Sequence, residues 1–162
     1  MSQLFKICSF YPSDASDVAA LQCRAILAVS PRYYGKAELE SWVAGVDCSR
    51  HIDHIRSGGG LLLARSSENL LLGFTGFIRS GEFAELKYAF TDPDAQGRGV
   101  GTALVAQVER FLRDQAVERV TVRASLSAMA FYERRGYQVT ARRRQLTGGG
   151  KELDIREMEK LL

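Results

Sequence analysis

The feature that most constrains this chain is a change of period between residues 83 and 115. Glu82 to Thr91 reads as an extended strand, and Asp92-Pro93-Asp94 supplies a turn. Leu104, Val105, Val108, Phe111 and Leu112 then recur at i, i+3, i+4 and i+7, which predicts an amphipathic helix over Gly99 to Gln115. Glycines at 97, 99 and 101 fill the junction, so the segment runs strand, turn, glycine loop, helix. At such a helix start the free N–H groups and the helix dipole, about half a positive charge, attract phosphate. Arg98 adds a charge-assisted contact. A tight turn packed on its helix explains the same glycines without any ligand.

The flanking sequence supplies the rest of a mixed α/β chain. Phe5 to Phe10 alternates as a strand, and Pro12-Ser13-Asp14 then leads into a helix carrying Val18, Leu21, Ala25 and Ala28. Pro31 ends that helix, and Lys36 to Val46 reads as a second one with Leu39, Trp42 and Val43 on one face. After Gly58-Gly59-Gly60, Leu61 to Arg65 is a strand, and Leu70 to Arg79 joins Glu82 to Thr91 through the Ser80-Gly81 turn. Beyond the long helix come a strand at Val117 to Ala124, a short helix at Ser127 to Arg135 closed by Gly136, and a strand pair at Tyr137 to Arg144 and Glu152 to Met158. Gly148-Gly149-Gly150 is the hairpin loop of that pair. The order is β, α, α, β, β, β, α, β, α, β, β.

The 162 residues suit one domain spanning residues 1–162, and 46% apolar with 25% charged residues excludes collagen-like, disordered and disulfide-scaffold classes. A net charge of +3 is too mild for a dedicated nucleic-acid binder and fits an anionic small ligand better. No apolar run is long enough to span a bilayer, and Met1 to Lys6 lacks a secretory apolar region, so the expected setting is cytoplasmic with no membrane partner. Cys8, Cys23 and Cys48 are odd in number and widely spaced, which reads as reduced structural thiols.

Other phosphate and metal motifs fail on residue type. A dinucleotide fingerprint wants G-x-G-x-x-G early in the chain, whereas here the spacing is G-x-G-x-G after a β-meander. A P-loop wants Gly-Lys then Ser or Thr, but Glu152 follows Gly150-Lys151. Cys48, His51 and His54 fan over roughly 300° of a helix with no fourth ligand, so no metal is expected. Arg142-Arg143-Arg144 alternates faces within a strand and reads as a solvated edge.

Gln96-Gly97-Arg98-Gly99-Val100-Gly101 matches, position by position, the Q/R-x-x-G-x-G/A loop of the GNAT superfamily of acyl-CoA-dependent N-acetyltransferases, and the sequence resembles that family over nearly its whole length. Phe83-Ala84-Glu85, the stretch from Ala124 to Tyr137 and Arg156 to Lys160 resemble further family segments in the right order. Ser127 departs from the family, where many members carry Asn. The resemblance implies a GNAT fold: a central mixed, mostly antiparallel sheet of six to seven strands, splayed between strands 4 and 5 and flanked by about four helices. It also implies acetyl-CoA as cosubstrate. Its pyrophosphate would rest on Gln96, Gly97, Arg98, Gly99, Val100, Gly101 and Thr102, and its pantetheine would lie on the backbone of Ala89, Phe90 and Thr91, with Ser127 and Phe131 beside it. The Ala89 N–H would then face the thioester oxygen.

Chemistry asks next for a base and an acid. An alkylammonium with pKa near 10 must lose a proton before it attacks, and Glu85 matches that task, through water, although a solvated strand carboxylate looks the same in sequence. Alternation in an unbulged strand sets Glu85 on the face of Lys87 and Ala89. Tyr132 matches the family's proton donor to the departing thiolate, or else simply packs its ring. Tyr33, Tyr34 and Trp42 lie where the family builds a wall of the acceptor site. The reading is transfer from acetyl-CoA to a primary amine of a small molecule in a ternary complex, compatible with a homodimer. Protein N-terminal or lysine acetylation and a non-catalytic acyl-CoA-binding regulatory domain are the alternatives.

Overall fold

The computed structural model describes residues 4–162. Seven strands form one sheet: β1 (Phe5–Ser9), β2 (Gly60–Ser66), β3 (Leu71–Ser80), β4 (Phe83–Thr91), β5 (Arg119–Ser125), β6 (Gln138–Leu146) and β7 (Glu152–Leu161). Their order across the sheet is β1-β2-β3-β4-β5-β7-β6, with every neighbouring pair antiparallel except the parallel pair β4 and β5. Five helices cover it: α1 (Ala15–Leu27), α2 (Lys36–Val43), α3 (Cys48–Arg56), α4 (Val100–Asp114) and α5 (Met129–Glu133). This is the GNAT α/β arrangement, with one helix, α3, more than the sequence order anticipates. Among the described residues no helix is long and apolar enough to cross a membrane.

Alternation in β2 sorts the two layers. Leu61 and Leu63 pack with Val18, Leu21 and Ala25 of α1, while Ala64 packs with Val100 and Leu104 of α4 on the opposite face. The inward stripe of α4 is the one its period predicts, except that Phe111 lies at the rim, half exposed against Phe77. Glu109 sits in that stripe too. It is buried, and accepts hydrogen bonds from the Tyr137 hydroxyl and Lys160 Nζ, each at 2.9 Å.

Strand β4 does not keep one alternation. Gly76 pairs with Tyr88 and the next β3 residue, Phe77, with Leu86, so Lys87 is the extra residue of a β-bulge. Leu86 packs into the cluster around Val105 and Val108 of α4, whereas Tyr88 meets the His51 ring at a tilt and the His54 ring edge-on, on the side of α3. The expectation that Glu85 shares a face with Ala89 is therefore corrected. Beyond the bulge the phase inverts, and Tyr88 takes the side on which Glu85 lies. Pairing of β4 with β5 runs only from Phe83/Arg119 to Leu86/Val122 and ends where the bulge begins.

Candidate active site

The parted ends of β4 and β5 open two connected hollows. One, of about 750 Å³, is lined by Thr91, Gln96, Gly97, Gly99, Gly101, Thr102 and Ser127, along with Phe131. The other, of about 340 Å³, is lined by Glu85, Lys87, Tyr88, Arg50, His51 and Arg123. Trp42, Ala89, Phe90, Ser125, Ala128 and Tyr132 border both. The two hollows thus meet at the fork in the sheet.

The larger hollow presents backbone groups at the start of α4. Gly99 caps α4 at φ 80°, a left-handed conformation that costs a side chain about 1 kcal/mol or more, and no side chain caps the helix. No acidic residue stands in the first turn of α4, so its N–H groups keep their positive end free for a ligand. A Cβ on Gly101 would come within 3.1 Å of the Phe131 ring. Upstream, the Asp92 N–H donates to the Leu72 carbonyl at 2.8 Å, toward β3. Strand alternation then turns the N–H groups of Ala89 and Thr91 the other way, into the gap, where β5 no longer pairs with them.

One residue of the expected loop lies elsewhere. Arg98 lines a separate hollow with Asp92, Arg24 and Asp94, behind the glycine loop. The arginines that do line the large hollow are Arg134 and Arg135, which the sequence reading passed over. The Arg135 guanidinium lies 3.6 Å from the Phe131 ring centre, donates to the Phe131 carbonyl at 2.6 Å and bonds the Thr102 hydroxyl. Its Nε is buried without a partner among the described residues. The spacing of Phe131 and Arg135, one helical turn, was the available signal. Ser127 pairs its hydroxyl with that of Ser125 at 2.9 Å.

Tyr132 is 4% exposed, and burial pushes its phenol far above the usual tyrosine range, which keeps it a protonated donor. Its ring is wedged edge-on between Phe131 and Tyr137. Glu85 lies in the smaller hollow, 3.4 Å from Lys87 Nζ and 3.8 Å from Arg123 Nε. The fork therefore brings Glu85, Tyr132 and the Ala89 N–H to one cleft. Of the three cap aromatics, Trp42 borders both hollows, and Tyr33 lies on the larger one instead of the smaller. Tyr34 lines neither. It is 2% exposed, and its hydroxyl is spent on backbone, because a buried phenol needs a partner.

Helix α3 supplies the wall that the sequence order left out. Asp47 caps it by accepting from the Ser49 N–H at 2.9 Å, and its inward residues are His51 and His54. His51 Nε2 bonds Gln22 Oε1 at 2.8 Å, and His54 Nε2 bonds the Gly60 carbonyl at 2.9 Å. Burial holds the His51 imidazole below its ordinary value. Cys48 is exposed at the start of this helix. Among the described residues no three His, Cys, Asp or Glu side chains gather as a metal set.

Comparison with known proteins agrees with this architecture. The chain is 25% identical over 139 residues to the uncharacterized N-acetyltransferase YafP of Escherichia coli (strain K12), covering 86% of this chain and 85% of YafP. The GCN5-related N-acetyltransferase of Rhodopseudomonas palustris superposes with a TM-score of 0.85 at 25% identity, over 97% of this chain and 95% of that one. PaiA N-acetyltransferase of Thermoplasma acidophilum, solved in complex with coenzyme A, gives 0.78 at 18% identity over 100% of both chains. YncA of Salmonella typhimurium, solved with its cofactor acetyl-CoA, gives 0.70 at 19% identity over 98% of this chain and 94% of that one. The sequence profile described as Acetyltransferase (GNAT) domain matches residues 32–160, and with the split seven-stranded sheet it establishes that this chain belongs to the GNAT acetyltransferase family.

Proposed function

We propose that the protein transfers an acetyl group from acetyl-CoA to a primary amine of a small molecule, by direct attack within a ternary complex. One observation carries this reading: an anion-receiving hollow and a polar hollow meet where Tyr132 and the Ala89 backbone border both. The free N–H groups of the loop and the first turn of α4 fit a pyrophosphate, and the unpaired edge of β4 fits an extended amide-bearing arm laid down like an added strand. Phe131 and Arg135 offer a flat, cationic surface beside that path. That CoA and acetyl-CoA were found in PaiA and YncA supports the same cosubstrate here.

Acetyl-CoA supplies an activated acyl group on a thiolate leaving group. A nitrogen that arrives as an ammonium first loses one proton; as a neutral amine it then bonds to the acetyl carbon while the carbon–sulfur bond breaks, it gives up a second proton and the sulfur receives one, so the transfer releases one proton overall. Glu85 takes the first proton, through water, from an amine that arrives as an ammonium. The Ala89 N–H faces the oxygen on which negative charge grows. Tyr132, kept protonated by burial, gives its proton to the thiolate and is reprotonated by the second proton that the nitrogen loses.

Acetyl-CoA should raise the melting temperature. A ligand present at a hundred times its Kd adds about 2.7 kcal/mol to native stability. Replacing Gly99 with Val should abolish that shift, because the side chain is strained at φ 80° just where the helix begins. A panel of small amines assayed for CoA release then tests transfer. Absence of any shift with CoA, acetyl-CoA or longer acyl-CoAs in the wild type overturns the reading.

A further inference from the structure

The smaller hollow is roofed by a contact between two backbones. The turn from Thr147 to Lys151 joins β6 to β7 and sits on the end of α2. Gly149 N–H donates to the Ser41 carbonyl at 2.9 Å, Lys151 N–H donates to Ser41 Oγ at 3.1 Å, and the Ser41 and Thr147 hydroxyls lie 2.5 Å apart. A Cβ on Gly148 would stand 2.2 Å from Gly45 Cα, so only glycine permits this approach. Gly45, Val46, Thr147 and Gly148 thereby close one side of the hollow.

Beneath the roof the charge is unequal. Arg50, Lys87 and Arg123 line the hollow against Asp47 and Glu85. Both carboxylates are already engaged. Asp47 accepts the Ser49 N–H as the cap of α3, and Glu85 lies between Lys87 and Arg123. Arg50 makes no ion pair and no side-chain hydrogen bond among the described residues, although Arg56 on the same helix pairs with Asp53. The Tyr88 hydroxyl is likewise without a hydrogen-bond partner among the described residues. Burial pushes its phenol above its ordinary value, and the nearby Arg50 charge pulls it back in part. A guanidinium and a protonated phenol, both uncommitted, face a cleft in which cationic side chains outnumber anionic ones. Their fork of donors suits a carboxylate.

We infer that the acceptor is a small primary amine that also bears a carboxylate, which Arg50 and the Tyr88 hydroxyl receive while the amine points toward Glu85 and Tyr132. This rests on the N-acetyl transfer proposed above. The carboxylate fixes which end of the molecule enters the fork, and an amine without it loses that orientation.

The test compares matched acceptors in the intact protein: an ω-amino acid, its carboxamide and the diamine of equal length, with acetylated product measured by mass. The wild type should favour the acid over the carboxamide by about tenfold or more in kcat/KM, equivalent to about 1.4 kcal/mol, chiefly through KM. Arg50→Gln should shrink that ratio below about threefold, and Arg50→Lys should restore part of it. Arg50 is exposed on the surface of α3, so neither change removes core packing. A wild type that uses the carboxamide or diamine as well as the acid overturns this inference and leaves N-acetyl transfer standing. So does a full acid preference in Arg50→Gln. If acetyl-CoA binds but no amine of any class is acetylated, the proposed function fails and takes this inference with it.

Discussion

The hydroxyl of Tyr34 accepts a hydrogen bond from the backbone N–H of Leu126 at 2.9 Å, and it donates another to the Asp154 carbonyl at 2.6 Å. One side chain from the link between α1 and α2 thus pins the turn between β5 and α5, which carries Ser127 and Ala128, to β7. Tyr34→Phe keeps the ring and strips both backbone groups of their partner. We expect a loss of about 1–3 kcal/mol in unfolding free energy, measured by urea titration.

Tyr132→Phe should lower kcat by about a hundredfold while leaving the thermal shift with acetyl-CoA nearly intact. An unchanged kcat, with chemistry shown to limit turnover, assigns Tyr132 to packing alone. The phenol's folded pKa lies above its unfolded one, so the stability it adds is complete below about pH 10 and is lost as pH rises further. Wild-type unfolding free energy should therefore fall above pH 10 more steeply than that of Tyr132→Phe.

Glu85→Gln should reduce kcat/KM at neutral pH, with part of the loss recovered at high pH or with an amine of low pKa, because those acceptors arrive already neutral. Parallel pH–rate profiles of equal height for variant and wild type, with two amines several pKa units apart, would make Glu85 only the partner of Lys87 and Arg123.

Burial alone would raise the Asp92 carboxyl, but the Arg24 hydrogen bonds and the Asp94 N–H more than offset it and leave its pKa lowered. Its contribution is present above the unfolded value near 3.9 and fades as pH falls below that. Arg24 is half exposed, so solvent limits the effect to about 1 kcal/mol or less. Between pH 5.5 and pH 3, Asp92→Asn should lose less stability than the wild type. An identical pH dependence of the two proteins would contradict the assignment.

Much of this architecture is legible in the residues, and the parts that are not have physical reasons. Helix α4 announces itself because Leu104, Val105, Val108 and Leu112 are apolar at helical spacing and all turn inward. Helix α3 hides because the residues it buries, His51 and His54, count as polar in any hydrophobic pattern, although Asp47 followed by Ser49 was a readable cap. The loop from Gln96 to Thr102 is legible by motif and lines the large hollow, with Arg98 turned away from it. Arg135 escapes notice because its place beside Thr102, thirty-three residues earlier, is a tertiary fact. Tyr34 looks like Tyr33 in sequence. Only the packing decides that one is a buried strut and the other lies on a cleft.

The surplus residue at Lys87 gives β4 something like a reading frame. Upstream of it, Leu86 must face α4; downstream, Tyr88 must face α3, and the two requirements are reconciled by count alone. The position should therefore be lenient about identity and strict about number. Many side chains can stand at residue 87, but inserting or removing one residue between Leu86 and Tyr88 would turn one half of the strand inside out. Variation among proteins built this way should accordingly show exchanges at this point and no change in length.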